Sequence, residues 1–472
     1  MRPHSPFPTR AKPLALAVLC AFASGPDLSV RAHPSGTQTW VVQTCDDEGS
    51  GSLREIVSTF AHSGDTIDMI GLACGTITLQ AGAIDVAQEE LFLLGPGAAK
   101  LAIDAGHASQ AFVHTGQGTL LLNGLTLRNG KVQSTSADVR GGCVSSDGLV
   151  ALHEARVTGC VAEVTGDHNA TGGGIYAKSG FTATRSTISG NRAVAIGPAN
   201  LKGFGVGGGV LTFGRAEFTE TGLDDNTASG ANGGFKGMAG GAWVFGGGRL
   251  LRSTVSGNTA GSVGGLLLVD TAYLDPIEIA SSTVSGNRAT DSVLGAGLYV
   301  GSTSQLTIKN STITGNIERN AVDTAYGAGL ALGTGTVPTT IVSSIIAGNA
   351  LESATPIPSD LGSTGSTTTV GGHHNLIGAA LIGVPADTLA QMPHLAPLAD
   401  NGGPTRTHAL LPGSAAIDAG DAAGAAHDQR GEGFPRVLGA SADIGAYESA
   451  PDAIFEDGFE ETCAGSCLLV RR

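Results

Sequence analysis

The chain has 472 residues and a net charge of −15, with 14% charged residues, 4% aromatic residues and 73 glycines. The acidic balance argues against nucleic acid and anionic membranes as partners. Length alone predicts about three domains, but an internal repeat overrides this because a solenoid lengthens without adding cores.

The N terminus predicts export. Basic residues precede an apolar run from Leu14 to Ala23, and small residues follow, which is the pattern of a secretory signal peptide. The run is too short for a stable anchor, and no later segment is predicted to cross a membrane. We assign residues 1–32 to the signal and expect cleavage after Ala23 or Ala32.

Six cysteines remain after removal of the signal, an even number that favours disulfides in an oxidising compartment. Their neighbours in sequence suggest the pairs Cys45–Cys74, Cys143–Cys160 and Cys463–Cys467. Six cysteines allow 15 connectivities, so other pairings stay open. A metal site is the alternative, but no cysteine pair has a histidine at zinc-like spacing.

The segment after Cys45 predicts a short helix. Ser52-Leu-Arg-Glu55 is a capping box, and apolar residues continue to Phe60 at helical spacing. We expect the helix to cover the open end of the fold. Residues 33–115 then contain the cap and the first coils, with predicted strands at Thr66–Ile70, Thr76–Leu79, Ala83–Val86, Leu91–Leu94 and Lys100–Asp104.

Residues 116–350 repeat. The unit Ser186-Thr-Ile-Ser-Gly-Asn191 recurs with variations at intervals of about 30 residues. Its central apolar positions are Leu127, Val157, Ile188, Leu223, Val255, Val284, Ile313 and Ile346. The pieces are short, rich in Val, Ile and Thr and bounded by Gly and Asn, which is typical of strands and turns. We predict that each period makes one coil of a parallel β-helix and that the eight positions form an aliphatic stack.

An asparagine closes most of these units. The series is Asn191, Asn226, Asn258, Asn287, Asn316 and Asn349. Asparagine tolerates left-handed turns, and its amide can hydrogen-bond the next coil, so we interpret the series as a structural ladder. A row of ligand-binding amides is the alternative.

Few residues in the repeat carry chemistry. Asp224 and Asp225 are interpreted as a polar turn, with a Ca²⁺ site as the alternative. Arg185, Arg252 and Lys309 have no acidic residue in phase and are expected to be solvated. The pair His373-His374 is interpreted as a strand and a turn, with a metal site as the alternative.

Two groups of motifs resemble known families. Gly51-Ser-Leu-Arg-Glu-Ile56, Gly64-Asp-Thr-Ile67, Gly75-Thr-Ile-Thr-Leu79 and Leu94-Gly-Pro-Gly-Ala98 resemble the start of bacterial secreted proteins with a CSLREA-type N-terminal segment. The C-terminal motifs His374-Asn-Leu-Ile-Gly378, Pro412-Gly-Ser-Ala-Ala-Ile-Asp-Ala-Gly420, Asp428-Gln-Arg-Gly431 and Asp443-Ile-Gly-Ala-Tyr-Glu448 are similar to a choice-of-anchor Q domain.

The resemblance implies an all-β, right-handed, single-stranded parallel β-helix of the pectin-lyase-like class with a short N-terminal capping helix. It implies further coils over residues 351–449, in which Asp418, Asp428, Arg430 and Asp443 make structural bonds. Residues 450–472 resemble short tails of secreted proteins from some gammaproteobacteria. The protein is therefore expected outside a Gram-negative cell or on its outer surface.

Two functions follow as hypotheses. Export, low charge and Ser/Thr-rich outward strands favour a monomeric platform that binds carbohydrate or a cell-surface ligand. The alternative is a polysaccharide lyase or glycoside hydrolase, since pectin-lyase-like coils include such enzymes. Those reactions need carboxylates in phase in adjacent coils, which the repeat does not show. We therefore assign no catalytic residue and no cofactor.

Overall fold

The computed structural model describes residues 37–197, 203–231, 237–269, 275–291, 294–301, 305–319, 326–333, 338–365 and 370–450. Within them, nearly all regular structure is β, and each strand pairs in parallel with its equivalent one coil later. The predicted all-β parallel β-helix is confirmed. The signal segment, the C-terminal tail and the pair Cys463–Cys467 lie outside the described residues.

Each coil passes through four faces, which we name A to D in chain order. The strands of face A are Thr39–Val41, Asp65–Asp68, Leu91–Leu94, Thr119–Asn123, Leu149–His153, Gly180–Thr184, Ala216–Thr219, Gly248–Leu251, Ile277–Ala280, Leu306–Lys309, Thr339–Val342 and Val370–His373. The strands of face B, which contain the repeat unit, are Thr76–Thr78, Ala102–Asp104, Thr126–Arg128, Arg156–Thr158, Thr187–Ser189, Gly222–Asp224, Thr254–Ser256, Thr283–Ser285, Thr312–Thr314, Ile345–Ile346 and Leu376–Ile377.

The other two faces complete the coil. The strands of face C are Lys131–Ser134, Val161–Thr165, Arg192–Ile196, Thr227–Ser229, Thr259–Ala260, Arg288–Ala289, Ile317–Glu318 and Ala350–Leu351, followed by the antiparallel Ile357–Pro358. A small sheet beside it contains Val139–Arg140, Ala170–Thr171 and Gly205–Val206. The strands of face D are Ile84–Val86, Phe112–His114, Val144–Ser146, Ile175–Ala177, Val210–Thr212, Ala242–Val244, Leu266–Leu268, Leu298–Val300, Leu330–Leu332 and Leu361–Ser363.

The aliphatic stack lies inside face B. Its eight predicted members are buried and pair in register from one coil to the next, from Leu127 opposite Val157 through to Ile313 opposite Ile346. Ile77 and Ile103 extend the stack at one end, and Ile377 extends it at the other. Each such burial contributes roughly 1.5–3 kcal/mol.

The asparagines form a ladder beside this stack. In each rung the side-chain amide Nδ2 donates to Oδ1 of the next asparagine, at 2.8–2.9 Å from Asn191 to Asn349. The same Oδ1 accepts the backbone N–H of the preceding asparagine. The N–H of Cys160 starts the ladder on Asn191, and Asp360 ends it by accepting two bonds from Asn349.

A second ladder marks the corner between faces A and B. The first residue of each unit accepts a backbone N–H bond from the coil before, at Ser186, Thr221, Ser253, Ser282, Ser311, Ser344 and Asn375. The residue before it is left-handed, with φ from 45° to 53°, at Arg185, Glu220, Arg252, Ser281, Asn310, Ser343 and His374. One left-handed residue therefore turns the chain at each corner.

The glycine doublets lie where neighbouring coils come closest. Gly207 has φ +63°, and a Cβ on Gly208 would collide with the carbonyl oxygen of Gly240 in the next coil. A Cβ on Gly207 would likewise collide with the Val210 carbonyl oxygen, so neither position leaves room for a side chain.

The N-terminal helix packs as predicted. It comprises the α-helical residues Leu53–Glu55 and the π-helical residues Ile56–Phe60. Ser52 Oγ accepts the Glu55 N–H, and the Glu55 carboxylate accepts the Gly51 N–H, one residue earlier than in a standard capping box. Leu53, Ile56 and Val57 join the main core at its first coils.

Two of the three suggested disulfides are present. Cys45–Cys74 joins the segment before the helix to the first coils. Cys143–Cys160 joins the start of face D to the end of face B across one coil. Both cysteines of the second pair are fully buried, at positions that a glycine and an asparagine occupy in other coils.

The C-terminal region differs from the expected series of coils. Its last parallel strand is Leu376–Ile377, and residues 393–450, which we call the strap, run back along the outside of face B. Leu410, Ala416 and Ile444 of the strap pack against Ile345 and Leu376. The strap follows this path because face B presents apolar and hydroxyl side chains outward in these coils. The strap buries the apolar side chains and the hydroxyl groups.

Candidate functional site

The Ser/Thr-rich outer side of face B is not an open platform in its C-terminal half. Thr254, Thr283 and Thr312 point outward and are at most 2% exposed, because the strap covers them. Thr254 Oγ1 donates to the Arg406 carbonyl at 2.6 Å, and Thr283 Oγ1 donates to Gln429 Oε1 at 2.6 Å. The outward hydroxyl side chains, which favoured a binding platform in the sequence analysis, therefore bind the strap in these coils.

Asp224, the first of the two calcium candidates, is paired with the strap. Its Oδ1 accepts hydrogen bonds from Ser256 Oγ at 2.5 Å and from Arg406 Nη2 at 3.0 Å. Burial raises the pKa of Asp224, and these bonds oppose that rise. A guanidinium thus occupies the place where a cation would bind. Asp225 is the left-handed residue of the turn that follows, with φ 55°.

The two arginines expected to be solvated have acidic partners instead. Arg185 lies 2.9 Å from Glu154, and Arg252 lies 2.7 Å from Glu220. Both acids occupy the equivalent left-handed corner position one coil earlier, three residues before the stack positions Val157 and Leu223, so they are in phase with the arginines. The expectation of isolated charges was therefore wrong for Arg185 and Arg252.

The charged motif residues of the strap are structural. Arg430 makes a bidentate pair with buried Asp428, and its guanidinium lies between the rings of Phe434 and Tyr447, at 4.1 and 3.8 Å from their centroids. Asp443 accepts the N–H groups of Asp418 and Ser449. These bonds close the strap on itself.

An aromatic surface lies on face D. We define it by Tyr176, Phe213, Trp243 and Phe245. Phe213 and Phe245 stack with centroids 4.8 Å apart, and Trp243 stacks on Phe245 at 4.7 Å. Tyr176 meets Phe213 edge-on at 6.2 Å. Phe213 is 44% exposed, so the stack presents ring surface to solvent.

The register of the coils builds this surface. Tyr176, Leu211 and Trp243 are paired in successive strands of face D and point outward. Phe213 follows the strand that contains Leu211, and Phe245 follows the strand that contains Trp243, each at the turn to face A. The rings of adjacent coils are therefore held about 4.8 Å apart by the strand spacing.

Charged groups border the aromatic surface. The Arg140 guanidinium lies 5.1 Å from the centroid of Tyr176. Lys178, at the turn one coil before Phe213, lies 3.8 Å from Asp147. Burial raises the pKa of Tyr176, so its hydroxyl stays protonated well into the alkaline range. The surface thus combines apolar ring faces with donors and acceptors at one edge.

Sequence reasoning missed this surface because its rings are spread over three coils. Aligning the repeats on the glycine doublet would have placed Tyr176 and Trp243 two residues after the last glycine of their doublets or triplets, with Phe213 and Phe245 in matching turns. The signal was present, but the comparison followed the Ser-Thr-Ile-Ser unit instead.

No cluster of three carboxylates suited to a metal occurs among the described residues. In that part of the chain, one group of three His, Cys, Asp or Glu side chains brings its ligand atoms within 4.8 Å of one another, and it consists of His373, His374 and Asp421. Asp224 and Asp225 do not belong to such a group.

A buried acid lies inside face C. Glu318 is fully buried in the strand Ile317–Glu318, opposite Ala289 in the coil before. Burial raises its pKa from 4.5 to about 7, and the Gly295 amide opposes the rise. Neither carboxylate oxygen completes a hydrogen bond of good geometry with a described residue.

Comparisons with known proteins are limited to the fold. No protein-family model matches the chain, and no curated protein matches it. Among solved structures it is similar to the crystal structure of the pectate lyase Pel9A, with 13% identity over 88% of this chain and 97% of that chain and a TM-score of 0.39. Such a likeness supports no inference about activity. In the described part of the chain, no helix has the length and apolar character needed to span a bilayer.

Proposed function

We propose that this protein is an exported β-helix that binds carbohydrate through the aromatic surface on face D. The observation that carries the proposal is the stack of Phe213, Phe245 and Trp243, in which Phe213 is 44% exposed. Exposed clusters of large apolar side chains mark interaction sites on soluble proteins. The strands beneath fix the rings, so binding costs little ordering of the site.

The chemistry of the surface suits a sugar. A pyranose ring has an apolar C–H face and a rim of hydroxyls. The ring faces of Phe213 and Phe245 match the first, and Arg140, Lys178 and Asp147 along the edge match the second. Aromatic side chains combine large contact area with few rotatable bonds, which lowers the entropy cost of recognition.

Export supports a ligand outside the cell. The buried Cys143–Cys160 bond and the Cys45–Cys74 bond are typical of an oxidising compartment. The signal-like N terminus indicates the same route. We infer a location outside a Gram-negative cell or on its outer surface.

Binding is tested with immobilised neutral and acidic polysaccharides. The change Phe213→Ala removes an exposed ring and is expected to weaken binding about two- to tenfold, as loss of about 0.5–1.5 kcal/mol of aromatic contact implies. Phe213→Trp keeps an aromatic ring at this position and should bind as tightly as wild type. Leu381→Ala, at an exposed apolar residue elsewhere, is the matched control and should leave affinity unchanged. Equal affinity of Phe213→Ala and wild type would overturn the proposal.

The same panel distinguishes binding from catalysis. The protein is incubated with each polysaccharide, with Ca²⁺ or with a chelator, and the products are assayed for new reducing ends and unsaturated sugars. Saturable binding with intact polysaccharide supports the proposal. Product formation that depends on enzyme concentration would make the protein a lyase or a hydrolase instead.

A further inference from the structure

Two consecutive histidines converge at the end of face A. Successive side chains of a strand normally point to opposite sides. His373 ends the strand Val370–His373, but His374 is the left-handed corner residue, with φ 53°. The left-handed turn brings both imidazoles to one side, with their Nδ1 atoms 2.8 Å apart and their rings at 87°.

The strap brings a carboxylate to the same place. The Asp421 N–H donates to Ser343 Oγ at 2.9 Å, and Ser343 is the corner residue one coil before His374. Next to it, the Ala422 carbonyl accepts a bond from Asn310 Nδ2 at 2.8 Å, at the corner before that. Two successive corners therefore fix the strap so that Asp421 faces the histidine pair.

We propose that His373, His374 and Asp421 bind a divalent transition-metal ion, with zinc as the best fit. Their ligand atoms all lie within 4.8 Å of one another. Ligands about 2.0–2.1 Å from zinc are at most about 4.2 Å apart, so small side-chain rotations complete the site. Two imidazoles and one carboxylate suit zinc better than calcium, which prefers oxygen ligands.

The surroundings support this arrangement. All three side chains are exposed, which leaves a fourth position open to water, as in zinc sites with three protein ligands. The Asp387 carboxylate accepts the His374 N–H at 2.8 Å and holds the backbone of one ligand in place. Two ligands belong to the coil and one to the strap, so the ion would tie the strap to the last coils.

The experiment uses the full mature chain without a histidine tag, stripped with EDTA and desalted. Titration with zinc chloride is followed by calorimetry, and Co²⁺ serves as a spectroscopic probe through its visible absorption. We expect one ion per chain. His374→Ala and Asp421→Asn should each lower zinc affinity by at least about tenfold. His62→Ala, at an exposed histidine outside the cluster, is the matched control and should bind as wild type.

Hydrogen exchange provides the second measurement. Zinc should slow exchange around residues 415–425 in the wild type and in the His62 control, and should have no effect on the two ligand variants. In EDTA all four proteins should melt at closely similar temperatures, which shows that the variants fold. The proposal is overturned if wild type binds no zinc, or if Asp421→Asn binds zinc as tightly as wild type.

Discussion

Asparagine recurs in the ladder because its side-chain amide both donates and accepts hydrogen bonds. In the middle of the ladder, Asn287 accepts the N–H and Nδ2 of Asn258 on one oxygen. Its own Nδ2 donates to the Val255 carbonyl and to Asn316 Oδ1. Every polar atom of the side chain is used, and the ladder lies in the protein interior, where an unpaired polar group is costly.

The change Asn287→Ala should therefore be strongly destabilising. It leaves the backbone N–H of Asn258 without its acceptor and removes one of the two donors to Asn316 Oδ1. We expect the free energy of unfolding to fall by about 2–4 kcal/mol. Urea denaturation followed by circular dichroism measures it. Thr182→Ala, on the outer side of face A, should change stability by less than about 0.5 kcal/mol. A similar loss of unfolding free energy in both variants would show that the ladder contributes no more to stability than an outer surface side chain.

Glu318 makes stability depend on pH. Its pKa in the fold is raised from 4.5 to about 7 by burial, so the folded state holds the proton more tightly than the unfolded chain does. The stabilisation is complete below pH 4.5, declines as pH rises, and is lost once pH passes about 7. The shift corresponds to about 3 kcal/mol.

The change Glu318→Gln should remove this dependence, since the amide stays neutral. Relative to wild type, the variant should gain about 3 kcal/mol of unfolding free energy between pH 4.5 and pH 8. Parallel urea titrations across that range provide the measurement. Glu448, whose pKa is raised to about 6, adds a dependence of the same sign that both proteins share. A wild-type-to-variant difference that is constant with pH would contradict the assignment.

The strap is held on face B by buried hydrogen bonds. Gln429 is the centre of this contact, because its Oε1 accepts from Thr283 Oγ1, and its Nε2 lies within 3.0 Å of both Thr254 Oγ1 and Thr405 Oγ1. All of these groups are buried. One side chain of the strap therefore satisfies hydroxyls from two successive coils.

The change Gln429→Leu should loosen the strap without unfolding the coils. It keeps the volume but leaves the Thr283 hydroxyl buried without its partner, at a cost of about 1–3 kcal/mol. Hydrogen exchange should become faster over residues 400–449 and stay unchanged in the coils before residue 200. Gln133→Leu, at an exposed glutamine on face C, is the control. Uniform faster exchange along the whole chain would contradict this local effect.

The whole molecule is a one-dimensional stack in which most contacts join neighbouring coils. Local damage should therefore stay local. The Cys143–Cys160 bond is a good test, since it closes 17 residues of one coil and both its cysteines are buried. Among the described residues, the Arg288–Glu352 ion pair spans two coils, and the strap links coils that are further apart.

The double change Cys143→Ala/Cys160→Ala should lower the free energy of unfolding by about 3 kcal/mol, as expected for a loop of about this length. Native-state hydrogen exchange should become faster mainly in residues 125–195. The two substitutions leave the ladder bond from the residue 160 N–H to Asn191 intact, because that donor is backbone. Equal acceleration at the strap would show that the solenoid unfolds as one unit.

The coil, the eight-membered aliphatic stack, the asparagine series and the N-terminal cap can all be predicted from the amino-acid sequence. These features either repeat at a nearly constant period or depend on residues close together in sequence. A residue one coil away lies above its equivalent. Backbone pairing enforces that relation, so counting along the chain is enough to place Leu127 above Val157 and Asn258 above Asn287.

The path of the C-terminal residues, and the side chains that they contact, cannot be predicted from the repeat and are seen only in the folded chain. The strap pairs Thr283 with Gln429 and Asp224 with Arg406 and brings Asp421 close to His374, and no period relates these positions. The aromatic surface joins single rings from three coils. Such contacts depend on the path of the strap and on which face of each coil points outward, and both follow from the packing of the finished coil.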